Sequence, residues 1–243
     1  MSKKTSVSTQ ELDELSFTGQ VAGEARNART ILEYAHDTAN SLLAAYVTVR
    51  ETRDATAGTS TDQEQDLLRA MLVMAAAGLD GMAKQLIRDT MSSVVSKDPS
   101  AKEGLETFVA RQIRGAPDTP ETVIGFKFLA RLITAACQQK QAIEEYIREL
   151  TGGSLQSADE LIRIGNAFGL KPEEIGIDDK RKMQNVFDIR NMIIHELDMD
   201  LTGRQRKRVQ RKLADMKDNA NLLFGIGCRL LTEVNKKLAH PAT

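Results

Sequence analysis

The chain has 243 residues, of which 41% are hydrophobic and 28% are charged. This length and balance exclude a collagen-like, low-complexity or wholly disordered protein and allow one well-buried domain. The formal net charge is only −1, yet residues 178–243 hold 14 lysines and arginines against 9 aspartates and glutamates. Positive charge therefore collects at the C-terminal end, which is where a negatively charged partner is expected to bind.

The first 22 residues are polar and are expected to form a flexible N-terminal lead-in. Two lysines near the start have no apolar segment behind them, so the sequence predicts no secretory signal. No apolar run reaches the ~18 residues that a membrane-spanning helix needs. We therefore expect a cytoplasmic protein without membrane contact, in which residues 23–240 form a single helical domain.

Helical periodicity dominates the rest of the chain, because apolar residues recur at spacings of three and four and only 5 prolines interrupt them. Thr61 or Asp62 is expected to cap the second helix, and Ser157 with Glu160 makes a capping box. No strand-like alternation is found, so the sequence predicts an all-α antiparallel bundle with long helices, and residues 99–120 are its expected insertion or edge. The expected helices cover residues 23–52, 62–95, 101–114, 120–150, 157–169, 178–197 and 204–238.

The two cysteines, Cys137 and Cys228, lie inside apolar helical patterns and have no CxxC partner or nearby histidine pair. Both are predicted to be buried thiols. We expect no disulfide, no metal site and no cofactor.

The segment KRKMQNVFDIRNMIIHELDMDL combines an apolar and a polar helical stripe. Arg190 falls in the middle of the apolar stripe, where an unpaired charge would cost several kcal/mol. It must therefore meet a partner anion, a ligand or a subunit interface. The apolar stripe consists of Met183, Val186, Phe187, Ile193, Ile194, Leu197 and Leu201, and the polar one of Asp188, Asn191, His195 and Asp198.

Two interpretations of this segment are open. In the structural one, Arg190 reaches an internal carboxylate and His195 packs as a core imidazole. In the functional one, Arg190, Asn191 and His195 form a site on adjoining faces of one helix.

The order Arg190-Asn191-Met192-Ile193-Ile194-His195 is an R-N-x-x-x-H pattern late in an all-helical chain, and it resembles the signature of the HEPN superfamily. Asp80, in AAAGLDGMAKQLI, occupies a place comparable to an acidic residue often found on an earlier central helix of that family. The resemblance covers residues 60–200 and is closest to the stand-alone ribonucleases of bacterial toxin and antiphage systems.

This resemblance implies a metal-independent endoribonuclease that acts as a homodimer, with two motif helices facing each other. His195 would be the general acid or base, Arg190 the phosphate clamp, and Asn191 a positioner of His195 or of the phosphate. Asp80 would orient Arg190 or His195. An antitoxin or another defence-system protein is a further expected partner.

A basic run follows the motif, and its proximity makes it a candidate track for the phosphates of RNA, although such runs are also common on solvated helix faces. Aromatic residues are only 4%, so base stacking is not expected. Two other readings remain: a catalytically silent HEPN-like sensor, adaptor or nucleotide-binding module, and a plain helical interaction protein. The run consists of Arg204, Arg206, Lys207, Arg208, Arg211 and Lys212.

Overall fold

A computed structural model describes residues 11–53, 59–114, 122–201 and 206–239. These residues contain eight α-helices and no β-strand beyond a single isolated bridge, which confirms the all-α prediction. Most of the expected break between the first two helices, residues 115–120 of the expected insertion or edge, and Arg204 lie outside the described residues. The helices are α1 (Arg26–Thr52), α2 (Asp62–Lys97), α3 (Pro99–Arg114), α4 (Thr122–Thr134), α5 (Gln138–Thr151), α6 (Ala158–Ala167), α7 (Lys180–Glu196) and α8 (Leu213–Ala239).

Helix α2 is the centre of the bundle, and it contacts α1, α3, α5, α7 and α8. Its 36 residues span roughly 54 Å. Helix α1 runs antiparallel to it and approaches so closely that a Cβ added at Gly78 would lie 2.2 Å from the Cβ of Ala35. Helix α8 runs parallel to α2, since Gln65 bonds Arg211 at one end and Lys97 bonds the Leu238 carbonyl at the other.

Among the described residues, α2 alone is long and apolar enough to cross a membrane by length and composition. Its most apolar 18-residue window has a mean hydropathy of 1.3, and 56% of that window is buried inside the protein. The core helix of a soluble bundle meets the same criterion, so the property carries little weight for a membrane span.

The predicted helix caps at Thr61 and Ser157 are confirmed. Each hydroxyl accepts a hydrogen bond from the backbone amide three residues on, and Glu64 or Glu160 bonds back to the capping residue. Gly169 follows the end of α6 with a φ of 67°, a conformation that glycine adopts without strain.

The expected helix over residues 120–150 is wrong in one respect, because it is broken into α4 and α5 at Ala135–Cys137. In one continuous helix Phe128 and Tyr146 would stand about 27 Å apart. Both rings instead contact Phe108, with centroid distances of 6.0 and 4.9 Å. The break therefore lets α4 fold back and cover the aromatic residues of α3 and α5.

This break also corrects one of the two cysteine predictions. Cys137 lies in the turn and is exposed, whereas Cys228 on α8 is buried as expected. Burial raises the pKa of the Cys228 thiol to about 11.

The last helix begins at Leu213 and not at Arg204, so the described part of the basic run is not helical. Residues 206–212 form an irregular segment in which Arg208 pairs with Met199 through a single antiparallel bridge. The side chain of Gln65 bonds both the backbone amide and the carbonyl of Arg211, at 2.8 and 2.9 Å. These bonds hold the segment in an extended form before α8 starts.

Residues 11–22, part of the expected N-terminal lead-in, form an extended segment that packs across α1 and α8. The backbone amides of Leu12, Asp13 and Ala22 donate to asparagine side chains of those helices, and Leu12 is buried. Side-chain amides thus replace a sheet partner for this segment.

Candidate functional site

The motif helix α7 is held in place by one apolar face. Met183, Val186, Phe187 and Ile193 are buried, as the apolar stripe predicts, and α7 contacts α2 and α6. Asp179 caps the helix, and one of its carboxylate oxygens accepts the amides of residues 181 and 182 at 2.9 and 3.2 Å.

Arg190 lies on this face and is half-buried. Its Nη1 donates to Oδ1 of Asn191 at 2.9 Å, while its Nε is buried without a hydrogen-bond partner. Among the described residues no carboxylate forms an ion pair with Arg190. A buried donor without an acceptor costs about 1–3 kcal/mol, so the described residues satisfy the guanidinium of Arg190 only in part.

Asn191 connects α7 to the segment that precedes α6. Its Nδ2 donates to the carbonyl of Gln156 at 3.0 Å, and its Oδ1 accepts from Arg190. Both ends of the amide are therefore occupied, which fixes the orientation of the side chain and steadies the guanidinium.

Asp80 lies on α2 and belongs to the same neighbourhood, although its described hydrogen bonds reach neither Arg190 nor His195. Its carboxylate accepts the amide of Leu155 at 2.9 Å and the ammonium group of Lys84 at 2.8 Å. Since Leu155 directly precedes Gln156, Asp80 and Asn191 bond adjacent residues of one segment. Asp80 thus supports the segment that orients Asn191.

His195 is exposed on the last turn of α7. It lies five positions after Arg190, which corresponds to about 140° of rotation around the helix. The two side chains therefore leave the helix in different directions, and Asn191 projects between them.

The helix ends immediately after the motif in an unusual way. Leu197 and Asp198 both have left-handed backbone conformations, with φ of 52° and 58°, and their amides both bond the Met192 carbonyl. The sequence pattern placed Asp198 on the polar face beside His195. In the structure this residue lies beyond the helix, is fully buried, and pairs with Arg69 and Arg211.

The last three residues of the predicted apolar stripe are exposed. Ile194 lies within α7, whereas Leu197 and Leu201 come after the point at which the chain leaves the helical path. Ile194, Leu197 and Leu201 are 39%, 68% and 60% exposed. We call these three exposed residues, at and just beyond the C-terminal end of the motif helix, the apolar end patch.

The basic run divides into two groups. Arg206, Lys207 and Lys212 are exposed. Arg208 and Arg211 instead face the protein, where they pair with Asp66 and Asp198. A hydrogen bond from Arg208 is the main reason that the pKa of Asp66 lies below its usual range.

Sequence reasoning missed the acidic and basic partners of this segment. Arg69 was the available signal, because it interrupts the apolar pattern of α2 and is 3% exposed.

Among the described residues no group of three or more histidine, cysteine or acidic side chains could hold a metal ion. No family model matches the chain, and no curated protein or solved structure matches it either.

Proposed function

We propose that the protein is a metal-independent endoribonuclease of the HEPN type, which acts as a dimer in a toxin or antiphage-defence system. The observation that carries this proposal is the state of Arg190. The guanidinium is half-buried, is held by a neutral amide, and has one buried nitrogen without a partner. The structural interpretation required an internal carboxylate for Arg190 and a core position for His195, and the described residues provide neither.

The chemistry of this side-chain set suits cleavage of RNA by its own 2′-hydroxyl group. A base takes the proton of the 2′-hydroxyl, the 2′-oxygen forms a bond to phosphorus, and the bond from phosphorus to the 5′-oxygen breaks as that oxygen receives a proton. Histidine performs such transfers near neutral pH, and we assign this role to His195. Arg190 would neutralise the charge that develops on the phosphoryl oxygens.

Asn191 has a defined part in this proposal. Its amide is fixed by Gln156 and accepts a hydrogen bond from Arg190. We therefore assign it to the positioning of Arg190, and not to that of His195. The exposed cations Arg206, Lys207 and Lys212 would contact phosphates on either side of the cut.

A second copy of the chain completes the site. Arg190 and His195 diverge on one helix, and a facing α7 would bring the arginine of one protomer near the histidine of the other. The apolar end patch adjoins the motif and offers apolar surface to such a partner.

The test compares wild-type protein with His195→Ala, and uses His240→Ala as the matched loss of another imidazole. His195→Ala should reduce cleavage of single-stranded RNA by about 10² or more while leaving the fold unchanged by circular dichroism. Cleavage should persist in excess EDTA and yield a 2′,3′-cyclic phosphate. It should stop when the nucleotide 5′ of the cut lacks its 2′-hydroxyl. Full activity of His195→Ala would refute the assignment.

A catalytically silent helical module is the second candidate, and one observation favours it. Arg190 and Asn191 together tie α7 to the segment before α6, so both residues already have a structural task. His195 has no such task, because it is exposed. Expression in cells separates the two candidates: the enzyme degrades cellular RNA and slows growth only when His195 is present, and the silent module does neither.

A further inference from the structure

A cluster of five charged side chains lies at the end of α7, with Asp198 at its centre. The other four are Asp66, Arg69, Arg208 and Arg211. Its fully buried carboxylate accepts Nε of Arg69 at 2.8 Å and Nη2 of Arg211 at 2.5 Å. The other nitrogens of Arg69 bond Asp66 at 3.0 Å and the carbonyl of Val209 at 2.8 Å. A buried carboxylate with two guanidinium partners is stable only while both stay in place.

The backbone at this point needs such a support. Leu197 and Asp198 both adopt left-handed conformations; aspartate reaches this region more readily than most residues, but leucine rarely holds it. A strained backbone conformation persists where contacts with the surrounding structure hold it in place. Here the ion pair between Asp198 and Arg69 of α2 provides such a contact, three residues after His195.

The same cluster draws two cations of the basic run toward α7. Nε of Arg208 donates to the carbonyl of Leu197 at 3.2 Å, and Nη2 of Arg211 lies 3.4 Å from the sulfur of Met192. The amide of Val209 donates to the carbonyl of Asp198 at 2.8 Å. Arg208 and Arg211 therefore fasten the basic segment to the motif helix, and they are not free to follow an RNA strand.

We propose that Asp198 is a positioning residue of the site. With Arg69 and Arg211 it fixes the last turn of α7, which carries His195, and sets the basic segment beside it so that Arg206 and Lys207 face the RNA. This inference rests on the proposed function. It also assigns Arg211 to the support of the site, where the sequence alone offered it as a phosphate contact.

The first test is Asp198→Asn, which keeps the size of the side chain and removes its charge, with Asp37→Asn on the exposed face of α1 as control. We expect kcat to fall by about tenfold or more with KM changed less than about twofold, because a displaced catalytic group slows the chemical step more than it weakens binding. The control should match wild type. An unchanged kcat in Asp198→Asn would overturn the proposal.

A second measurement does not depend on activity. The chain has 3 histidines, so the ring signals of His195 can be assigned in NMR spectra by comparison with His195→Gln. Asp198→Asn should shift and broaden the His195 ring signals, and Asp37→Asn should leave them in place. If the His195 signals are unaltered in Asp198→Asn, the carboxylate does not position the imidazole and the inference is wrong.

Arg211 gives a third test through the salt dependence of RNA binding. Arg206→Gln should lower the slope of log affinity against log salt by about one. Arg211→Lys should lower it too, because lysine keeps the charge but releases the segment that carries Arg206 and Lys207. An unchanged slope in Arg211→Lys would make Arg211 a phosphate contact that lysine can replace, and would overturn the proposal. If Asp198→Asn does not fold, Arg211→Lys replaces it in the kcat test, since lysine keeps the charge but loses the fork of the guanidinium.

The two proposals fail in different ways. If the wild-type protein cleaves no RNA but Asp198→Asn alters the His195 signals, the ribonuclease assignment fails and the positioning of His195 stands. If the wild type cleaves RNA while Asp198→Asn retains kcat and the His195 signals, only the positioning role is refuted.

Discussion

The two cysteines differ in exposure, and this difference leads to a prediction at the scale of single residues. Cys137 is exposed in the turn between α4 and α5, whereas Cys228 is buried and burial raises the pKa of its thiol to about 11. Since the thiolate is the reactive form, Cys228 should react slowly for two reasons: reagents cannot reach it, and little of it is ionised. In native protein at pH 8 a thiol reagent should therefore label one cysteine per chain rapidly.

The variants Cys137→Ser and Cys228→Ser check this assignment. Cys137→Ser should remove the fast phase of labelling, and Cys228→Ser should leave it intact. Two fast thiols in the native wild type would contradict the burial of Cys228.

Single residues also show what the sequence could predict of the candidate site. The spacing of Arg190, Asn191 and His195 was sufficient to place them on one helix, because helical periodicity holds from Lys180 to Glu196. The contact between Arg190 and Asn191 was not predictable, since neighbouring side chains on a helix do not ordinarily face each other.

Asp198 was misplaced for a related reason. The helical periodicity of the sequence extends past Glu196, and neither Leu197 nor Asp198 is the glycine that commonly follows the end of a helix. The two left-handed residues depend on a carboxylate buried against Arg69, which is 129 positions away in the chain. A long-range ion pair of this kind leaves only one local trace, an arginine on an apolar helix face.

At the scale of elements, Asp98 joins three helices and gives the protein a predictable response to acid. It follows α2, accepts the amide of Ala101 in α3 at 2.9 Å, and binds the ammonium group of Lys237 in α8 at 2.6 Å. Burial alone would raise the pKa of Asp98, but the hydrogen bonds from Lys237 and Ala101 hold that pKa below the usual range of an aspartate.

The sign of the effect follows from this lowered pKa. A carboxyl group whose folded pKa is depressed stabilises the protein fully above its unfolded pKa, and this contribution is lost as the pH falls through the folded value. Asp98→Asn should therefore lower the free energy of unfolding at pH 7, and the difference from wild type should shrink below pH ~4. Urea titrations at pH 7 and pH 3 measure it.

Lys237→Gln is the matched partner variant. It should lower the free energy of unfolding at pH 7. It should also weaken the dependence of that free energy on pH below about pH 4, because it removes one of the hydrogen bonds that lower the pKa of Asp98. A difference between Asp98→Asn and wild type that stays constant with pH would contradict the linkage.

The elements themselves were largely predictable, and the two misplaced boundaries have one cause. Capping residues and glycines mark the ends of α2, α5 and α6 in the sequence. The break before α5 and the late start of α8 carry no such marks, since Thr134 to Cys137 and the basic run are both compatible with a helix. Tertiary contacts decide these two places: the aromatic contacts of Phe108 in one, and the hydrogen bonds that Arg211 donates to Gln65 and Asp198 in the other.

At the scale of the whole molecule, α2 supports the candidate site from both sides. Asp80 holds the segment that orients Asn191, and Arg69, more than two turns earlier, holds the end of α7 and the basic segment. The motif helix is thereby fixed to a buried helix at two points. A rigid support of this kind would suit the proposed dimeric site, in which the groups of two protomers have to meet in a defined geometry.

The last prediction concerns this second protomer. If two copies pair through the apolar end patch, Leu197→Asn should shift the protein toward the monomer and abolish RNA cleavage, because neither protomer can then complete the other's site. Asparagine tolerates the left-handed backbone at this position, so the change should not strain the fold. Tyr34→Asn removes a side chain of similar exposure on α1 and should leave the oligomeric state, measured as molar mass in solution, unchanged. Light scattering over a range of concentrations measures the mass, and a strictly monomeric wild type that still cuts RNA would refute the dimeric site.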